Sequence, residues 1–342
     1  MISVGFRRSK LKPLHCAKYR ILVTGSRGKS SLVRLIFAGL AAAGLNACGR
    51  ITGVLPRELT PAGERSIVRN APGHVEEMRW WLRQLSDEVE AVVMENSAVQ
   101  PELQRLAAEW LCPTLTVWTN ARPDHEEAWG PDERSAIGAL AGGVPDDGTL
   151  LLGPELCGSR QLQGLLKGRG GATVAVETQS GDYLAANLAL AARALDLLGF
   201  ADENTLEAMK ELKPDVADFR VFTLCDTPAT CLAPAFSAND LRSTETLFRA
   251  TGWREEETSV LYCDRADRPA RRRAFRPFLE RNWREVRTLH GDEPSADVER
   301  WIAGDRAGAR KVFGCGNVKG TPLTLLQKLE EEGTPWTLPS PR

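Results

Sequence analysis

Residues Ile21-Leu-Val-Thr-Gly-Ser-Arg-Gly-Lys-Ser-Ser31 restrict the fold more than any other stretch, because an apolar strand passes through a glycine turn straight into a helix. Such a junction belongs to a parallel α/β sheet. Gly25 and Gly28 let the backbone turn its N–H groups toward an anion, and the helix start adds the positive end of its dipole. Lys29 is placed to reach β and γ phosphates, and Ser30 to put a hydroxyl on Mg2+. Leu32, Leu35, Ile36, Gly39, Leu40 and Ala43 recur at three- and four-residue steps, so one helix face packs on the sheet before Gly44 stops it. Gly25, Ser26, Arg27, Gly28, Lys29, Ser30 and Ser31 are therefore the expected nucleotide-binding loop. Val23 stands where the usual Gly-x4-Gly-Lys-Ser pattern has its first glycine.

A chain of 342 residues is long for one core, so two domains are expected, each able to fold without disulfides or a structural metal. The net charge of −1 gives no reason to expect nucleic acid as a partner. Eight cysteines are scattered with no Cys-x-x-Cys pair. They read as reduced packing thiols, with a Cys225–Cys231 bond as the open alternative. Arg7, Arg8, Lys10 and Lys12 precede no apolar run of a signal peptide or anchor, and no segment is long enough to span a bilayer. A cytoplasmic chain is expected, with the basic start a solvated arm or a surface for anionic lipid.

Apolar runs alternate with helical periodicity: strand 20–24, helices 30–43 and 73–86, strand 90–95, helix 101–110, strands 114–119, 149–152 and 173–177, helix 183–198. This pattern predicts a mostly parallel sheet flanked by helices, with ligands beyond the carboxyl ends of its strands. Pro228 and Pro234 interrupt the pattern, placing a boundary between domains 1–225 and 226–342. The second, smaller α/β domain reads helix 240–251, strand 258–263, helix 270–283, strands 285–289 and 310–313, helix 321–332. Its arginine-rich run, Arg265 to Arg284, is either an anion-binding face or the wet side of a helix.

Two more loops leave strand ends of the first domain. The run Glu90-Ala-Val-Val-Met-Glu-Asn-Ser97 is a buried strand ending in Glu95, placed to hold Mg2+ beside the phosphate loop. The next, Leu115-Thr-Val-Trp-Thr-Asn-Ala-Arg-Pro-Asp-His-Glu-Glu127, carries His125 beside carboxylates that can share a divalent ion. All three loops are expected to meet at one sheet edge.

Together, Gly25-Ser-Arg-Gly-Lys-Ser-Ser31, Glu95 and Asn120-x-x-x-Asp124-His125-x-Glu127 resemble the Mur ligase superfamily, whose shortened loop lacks the first glycine. Arg50-Ile-Thr-Gly-Val-Leu-Pro-Arg57, Glu95-Asn-Ser-Ala-Val-Gln-Pro-Glu102, Thr119-Asn-Ala-Arg-Pro-Asp-His125 and Phe313-Gly-Cys-Gly-Asn317 are similar to the ligase subunit of poly-gamma-glutamate synthase, the CapB or PgsB type. The resemblance implies ATP and Mg2+ as cofactors, with Lys29 on the phosphates and Ser30, Glu95 and His125 at the metal. It implies Asn187 at adenine, although Leu184 replaces the family's first Asn in that helix. It implies Asn239 at the nucleotide when the second domain closes; a helix cap at Asn239 or Asp240 is an equal alternative.

Arg50, Thr52, Arg57 and Arg122 are the expected substrate residues, since a guanidinium grips a carboxylate with two parallel bonds. A surface arginine is the alternative at each. The chain departs from the family in three ways: no lysine lies between Lys29 and Lys167 to be carbamylated, and neither a UDP-sugar domain nor an apolar anchor is expected. The implied reaction is ATP-dependent amide formation through an acyl phosphate, on an amino-acid or gamma-glutamyl carboxylate. Possible partners are a membrane polymer-synthase subunit and a second copy of the chain. Alternatives are a nucleotide-binding subunit active only with that partner, and a small-molecule kinase.

Overall fold

A computed structural model of the chain describes residues 13–70, 72–167, 171–176, 183–226, 229–290, 293–304 and 309–339. The basic stretch Arg7 to Lys12, residue 177 and Pro228 lie outside them. The chain divides into one unit running through Leu212 and another starting at Lys213.

The first unit runs β1 (Tyr19–Thr24), α1 (Lys29–Ala42), β2 (Ala47–Ile51), β3 (Arg57–Thr60), β4 (Gly63–Ser66), α2 (Glu76–Gln84), β5 (Ala91–Glu95), α3 (Gln104–Leu111), β6 (Leu115–Trp118), α4 (Glu126–Trp129), α5 (Glu133–Ala141), β7 (Thr149–Leu152), α6 (Arg160–Leu166), β8 (Ala172–Ala175), α7 (Tyr183–Leu198) and α8 (Glu203–Lys210). Its eight strands form one sheet in the order β4-β3-β2-β5-β1-β6-β7-β8. All neighbours from β2 to β8 pair parallel, and the β3–β4 hairpin adds antiparallel at one edge.

Strand alternation sorts the core onto two faces. Ile21, Val23 and Val93 pack with Leu32, Ile36 and Leu195 from α1 and α7. Leu22, Cys48 and Met94 pack with Met78, Trp81 and Ala107 from α2 and α3. Gly39 brings α1 against α7 so closely that a Cβ there would lie 2.3 Å from Leu195. These two-sided strands are the continuous apolar runs expected of a buried parallel sheet.

β2, β3 and β4 are absent from the sequence reading. β2 spells Ala-Cys-Gly-Arg-Ile, in which glycine and arginine mask a fully buried strand, and the hairpin is charged as exposed edges generally are. α4, α5, α6 and α8 are further additions, and the helix read over 101–110 is a 3₁₀ turn at Pro101–Leu103 leading into α3.

The second unit holds β9 (Val221–Asp226), β10 (Ala229–Pro234), α9 (Leu241–Thr251), β11 (Thr258–Asp264), α10 (Pro269–Leu279), β12 (Glu285–His290), α11 (Ser295–Ala303), β13 (Arg310–Cys315), α12 (Thr321–Glu331) and β14 (Trp336–Thr337). Its sheet order is β12-β11-β13-β10-β9-β14, parallel from β12 to β10 and antiparallel at β9 and β14. The expected boundary at 225/226 falls within β9, whose Cys225 pairs with Thr230 of β10. Threonine and cysteine make a strand of this stretch, and Pro234 sits at its end, where a missing N–H is tolerated.

Candidate active site

β1 stays a strand through Thr24, with Val23 fully buried and paired with Glu95 on one side and Val117 on the other. The position of the missing glycine is therefore core, and the loop proper begins at Gly25. Gly25 adopts φ 128° and Gly28 φ 78°, both left-handed values that favour glycine. A Cβ on Gly25 would meet Thr119 Oγ1 at 2.1 Å, and one on Gly28 would meet Asn187 Oδ1 at 3.1 Å. Asn187 thus lies against the loop itself.

The loop is clamped from behind. Ser26 Oγ and the Arg27 N–H donate to Asn120 Oδ1 at 2.8 and 3.0 Å, while Thr119 Oγ1 donates to the Arg27 carbonyl at 2.6 Å. Lys29, Ser30 and Ser31 form the first turn of α1, which starts on Gly28 without a side-chain cap. Lys29 Nζ donates to the Gly25 carbonyl at 2.7 Å. Loss of hydration around this ammonium pulls its pKa below the ordinary lysine value, with Glu95 opposing and Arg27 reinforcing the shift.

Glu95 shares the parity of Val93 and so faces α1. Its Oε2 accepts from Ser30 Oγ and from the Thr52 N–H, both at 2.9 Å. Both partners are uncharged. A cavity of about 140 Å³ opens here, lined among others by Thr24, Lys29, Thr52, Glu95, His125 and Trp129. Thr24 Oγ1 is buried with no partner. An orphan hydroxyl, a glycine cradle that a Cβ would fill, and a hydroxyl–carboxylate pair beside a lysine fit a nucleotide phosphate with Mg2+. Among the described residues no three His, Cys, Asp or Glu side chains form a metal cluster. That suits Mg2+, which takes one or two protein ligands and completes its shell with phosphate and water.

His125 enters from α4, whose N-cap it forms at φ 49°, a strained value for a non-glycine residue. Its Nε2 lies 3.4 Å from Asp124 Oδ2, which also pairs with Arg27 at 3.1 Å, and its ring stands 5.1 Å from that of Trp129. Trp129 Nε1 donates to the Val99 carbonyl at 2.6 Å, joining this loop to the one after Glu95. Asn96 donates to Gln104 Oε1 and accepts from the Ala98 N–H, while Gln104 donates to the Ala98 carbonyl, fixing the latter loop. All three expected loops therefore line one cavity.

The arginines expected at the substrate lie apart from it, each against a glutamate: Arg50 on Glu77 at 2.8 Å, Arg57 on Glu64 at 2.6 Å, Arg122 on Glu155 through Nε at 3.1 Å. Arg50 is buried, and one of its nitrogens has no partner, a state that costs about 1–3 kcal/mol for a lost donor. Asn239 belongs to the second unit, where φ is 57° and Arg271 donates to its Oδ1 at 3.0 Å. Asp240 caps α9 through the Ser243 N–H at 2.8 Å, realising the capping alternative. In the arginine run, Arg265, Arg272, Arg276 and Arg281 pair with Asp267, Asp264, Glu280 and Glu245, the ion pairs of a wet face. The Cys225 side chain, and with it the alternative of a Cys225–Cys231 bond, lies outside the described residues.

Sequence reasoning missed Thr119, Trp129, Arg69 and Glu77. Trp129 follows His125 by four residues, one helical turn, a spacing that was there to be used.

Residues 23–153 match the model of the Mur ligase middle domain, the segment that carries all three loops. The chain carries a Mur ligase middle domain. Residues 225–332 match the poly-gamma-glutamate synthase CapB C-terminal domain. Among relatives of the chain is PGA synthase CapB of Bacillus subtilis (strain 168), 24% identical over 97% of this chain and 95% of its own. The fold is shared with E. coli FolC, solved with DHPP and ADP, at TM-score 0.65 and 16% identity over 94% of this chain and 90% of that one. It is shared likewise with the bifunctional folylpolyglutamate synthase/dihydrofolate synthase of Yersinia pestis, solved with AMPPNP and Mn, at TM-score 0.64 and 14% identity over 94% and 90%. No helix among the described residues is long and apolar enough to cross a membrane.

Proposed function

We propose that the chain is an ATP-dependent amide ligase that activates an amino-acid or gamma-glutamyl carboxylate as an acyl phosphate and passes it to an amine. The observation that carries this reading is the meeting of Lys29, Ser30 and Glu95 at one cavity behind a glycine loop.

In this reading Gly25, Ser26, Arg27, Gly28 and Ser31 cradle the phosphates, with Asn187 beside them. Thr119 and Asn120 hold that cradle rigid, so its donors need no reorganisation during transfer. Lys29 leaves the Gly25 carbonyl for the β and γ phosphates, where a desolvated ammonium is worth more than one in water. Ser30, Glu95 and His125 would hold Mg2+, which supplies charge neutralisation when bound. The carboxylate attacks phosphorus, ADP leaves, and the amine then displaces phosphate from the acyl carbon. Protein work at each step is positioning and charge. Thr52 lines the cavity on the substrate side, whereas Arg57 and Arg122 stand outside it on Glu64 and Glu155.

The reading also takes the chain as cytoplasmic with a membrane polymer-synthase subunit as partner; the relative named PGA synthase CapB supports a polymer product.

Purified chain screened against glutamate, short gamma-glutamyl peptides and other amino acids should release ADP only when a carboxylate and an amine are both present. Hydroxylamine should trap the acyl phosphate as a hydroxamate. ADP release without an amine, on an alcohol, would make the enzyme a kinase, and AMP as product would replace phosphorylation with adenylation.

A further inference from the structure

Each of the three arginines expected to grip a substrate carboxylate already holds a glutamate of this chain, and the Arg50 cluster is built differently from the other two. Arg50 is 1% exposed. Its Nη2 donates to Glu77 Oε2 at 2.8 Å, and the same oxygen accepts from Arg69 Nε and Nη2 at 3.0 and 2.7 Å. The other oxygen, Oε1, accepts from the His74 N–H at 2.9 Å. Arg50 Nη1 is buried without a partner.

Two guanidiniums share this one carboxylate, with Glu95 the other acid whose charge reaches Arg50, and a spare N–H remains where solvent cannot satisfy it. The cluster can therefore bind more anionic oxygen than Glu77 supplies. Glu77 is no core residue: it stands in the first turn of α2, next to the exposed residues Pro72, Gly73 and His74. Arg50 precedes Thr52, which lines the cavity, by two residues, about 6–7 Å along an extended strand.

We propose that Arg50 and Arg69 form a receptor for a carboxylate of the substrate, and that Glu77 fills it as an internal surrogate until that substrate displaces it. The proposal rests on the ligase reading for the ligand's identity alone. A tethered competitor acts at an effective concentration of roughly millimolar, so a carboxylate that makes no second contact is excluded. A second contact at the cavity edge is what an acidic, peptide-like substrate offers.

The test is calorimetric titration of γ-L-glutamyl-L-glutamate, without nucleotide, into the full chain and its Glu77→Gln and Arg69→Gln variants, with KM for dipeptide and for ATP measured in parallel. Glu77→Gln should tighten the dipeptide about tenfold, the scale of one charge-assisted hydrogen bond, and leave KM for ATP unchanged. Arg69→Gln should weaken it by a similar factor. A folded Glu77→Gln protein with unchanged or weaker dipeptide affinity overturns the surrogate and leaves a structural ion pair. If wild type releases no ADP with any substrate pair, the ligase reading falls, yet the titrations still decide the receptor; no dipeptide binding to wild type or Glu77→Gln overturns it as well. Should Glu77→Gln not fold, Glu77→Asp keeps the charge with a shorter reach and should shift affinity the same way by less, and no shift overturns the proposal.

Discussion

Glu95 and Glu77 serve opposite faces of one sheet and keep opposite company. On the α1 face, Glu95 accepts from a serine hydroxyl and a backbone N–H, both uncharged. On the α2 face, Glu77 meets two guanidiniums. Burial raises the Glu77 carboxyl, but the bonds from Arg69 and His74 and the charge of Arg50 outweigh it and hold its pKa below the usual range. One carboxylate leaves room for a cation, the other is already shared by two guanidiniums. The difference follows from a single residue of strand register, since Val93, and hence Glu95, faces α1 while Cys48, and hence Arg50, faces α2.

The largest effect that would break this contrast comes from Glu95. Glu95→Gln keeps the shape and the bond to Ser30 but removes the charge. Substrate-dependent ADP release should fall by about 10³-fold or more, the scale of losing one charge-neutralising group in phosphoryl transfer, in a protein that still unfolds cooperatively. Lys29→Ala should do the same. Near-normal turnover in either variant would refute the assignment of this face.

Next in size is Arg50→Met, read as stability. Removing one partner of a buried pair costs about 3–5 kcal/mol when the other charge is stranded, but Arg69 still covers Glu77, so denaturant unfolding should report less than that range. The double variant Arg50→Met with Glu77→Gln should recover part of the loss. A double variant no more stable than the single would show that the two residues are not coupled.

A third prediction concerns the loop between the faces. Gly25→Ala places a Cβ 2.1 Å from Thr119 Oγ1 at a backbone angle alanine avoids, and should cost about 2–3 kcal/mol and abolish nucleotide binding. Pairing it with Thr119→Ser does not remove the hydroxyl and should not rescue it; recovery of Tm would move the strain elsewhere.

How legible each face was in the sequence follows from how local its parts are. The phosphate loop is contiguous, and Glu95 and His125 each end or follow an apolar strand, so their convergence could be argued from parallel topology alone. The family motifs then accounted for Val23. Glu77 lies 27 residues from Arg50, and the register that turns them toward each other belongs to β2, a strand that Gly49 and Arg50 disguise. Without that strand no face could be assigned, and Arg50, Arg57 and Arg122 looked alike. The same holds in the second unit, where threonines and cysteines with Pro234 read as a break instead of the β9–β10 hairpin.

The smallest effect sharpens the comparison through pH. Lys29 has its pKa lowered by desolvation, so the unfolded chain holds this proton more tightly than the folded one. Stability then rises as pH climbs from the folded value toward the ordinary 10.5, and the penalty is fully present below both. Lys29→Met lacks this linkage. Its stability advantage over wild type should be greatest near neutral pH and shrink as pH approaches 10, each tenfold difference in proton affinity contributing about 1.4 kcal/mol. Glu95 opposes the shift, so adding Glu95→Gln to wild type should deepen the penalty, whereas Glu77→Gln, on the other face, should leave it alone. Denaturant melts of the four proteins from pH 7 to pH 10 measure this directly. An advantage for Lys29→Met that grows with pH would contradict the buried ammonium, and equal effects from Glu95→Gln and Glu77→Gln would erase the distinction between the faces.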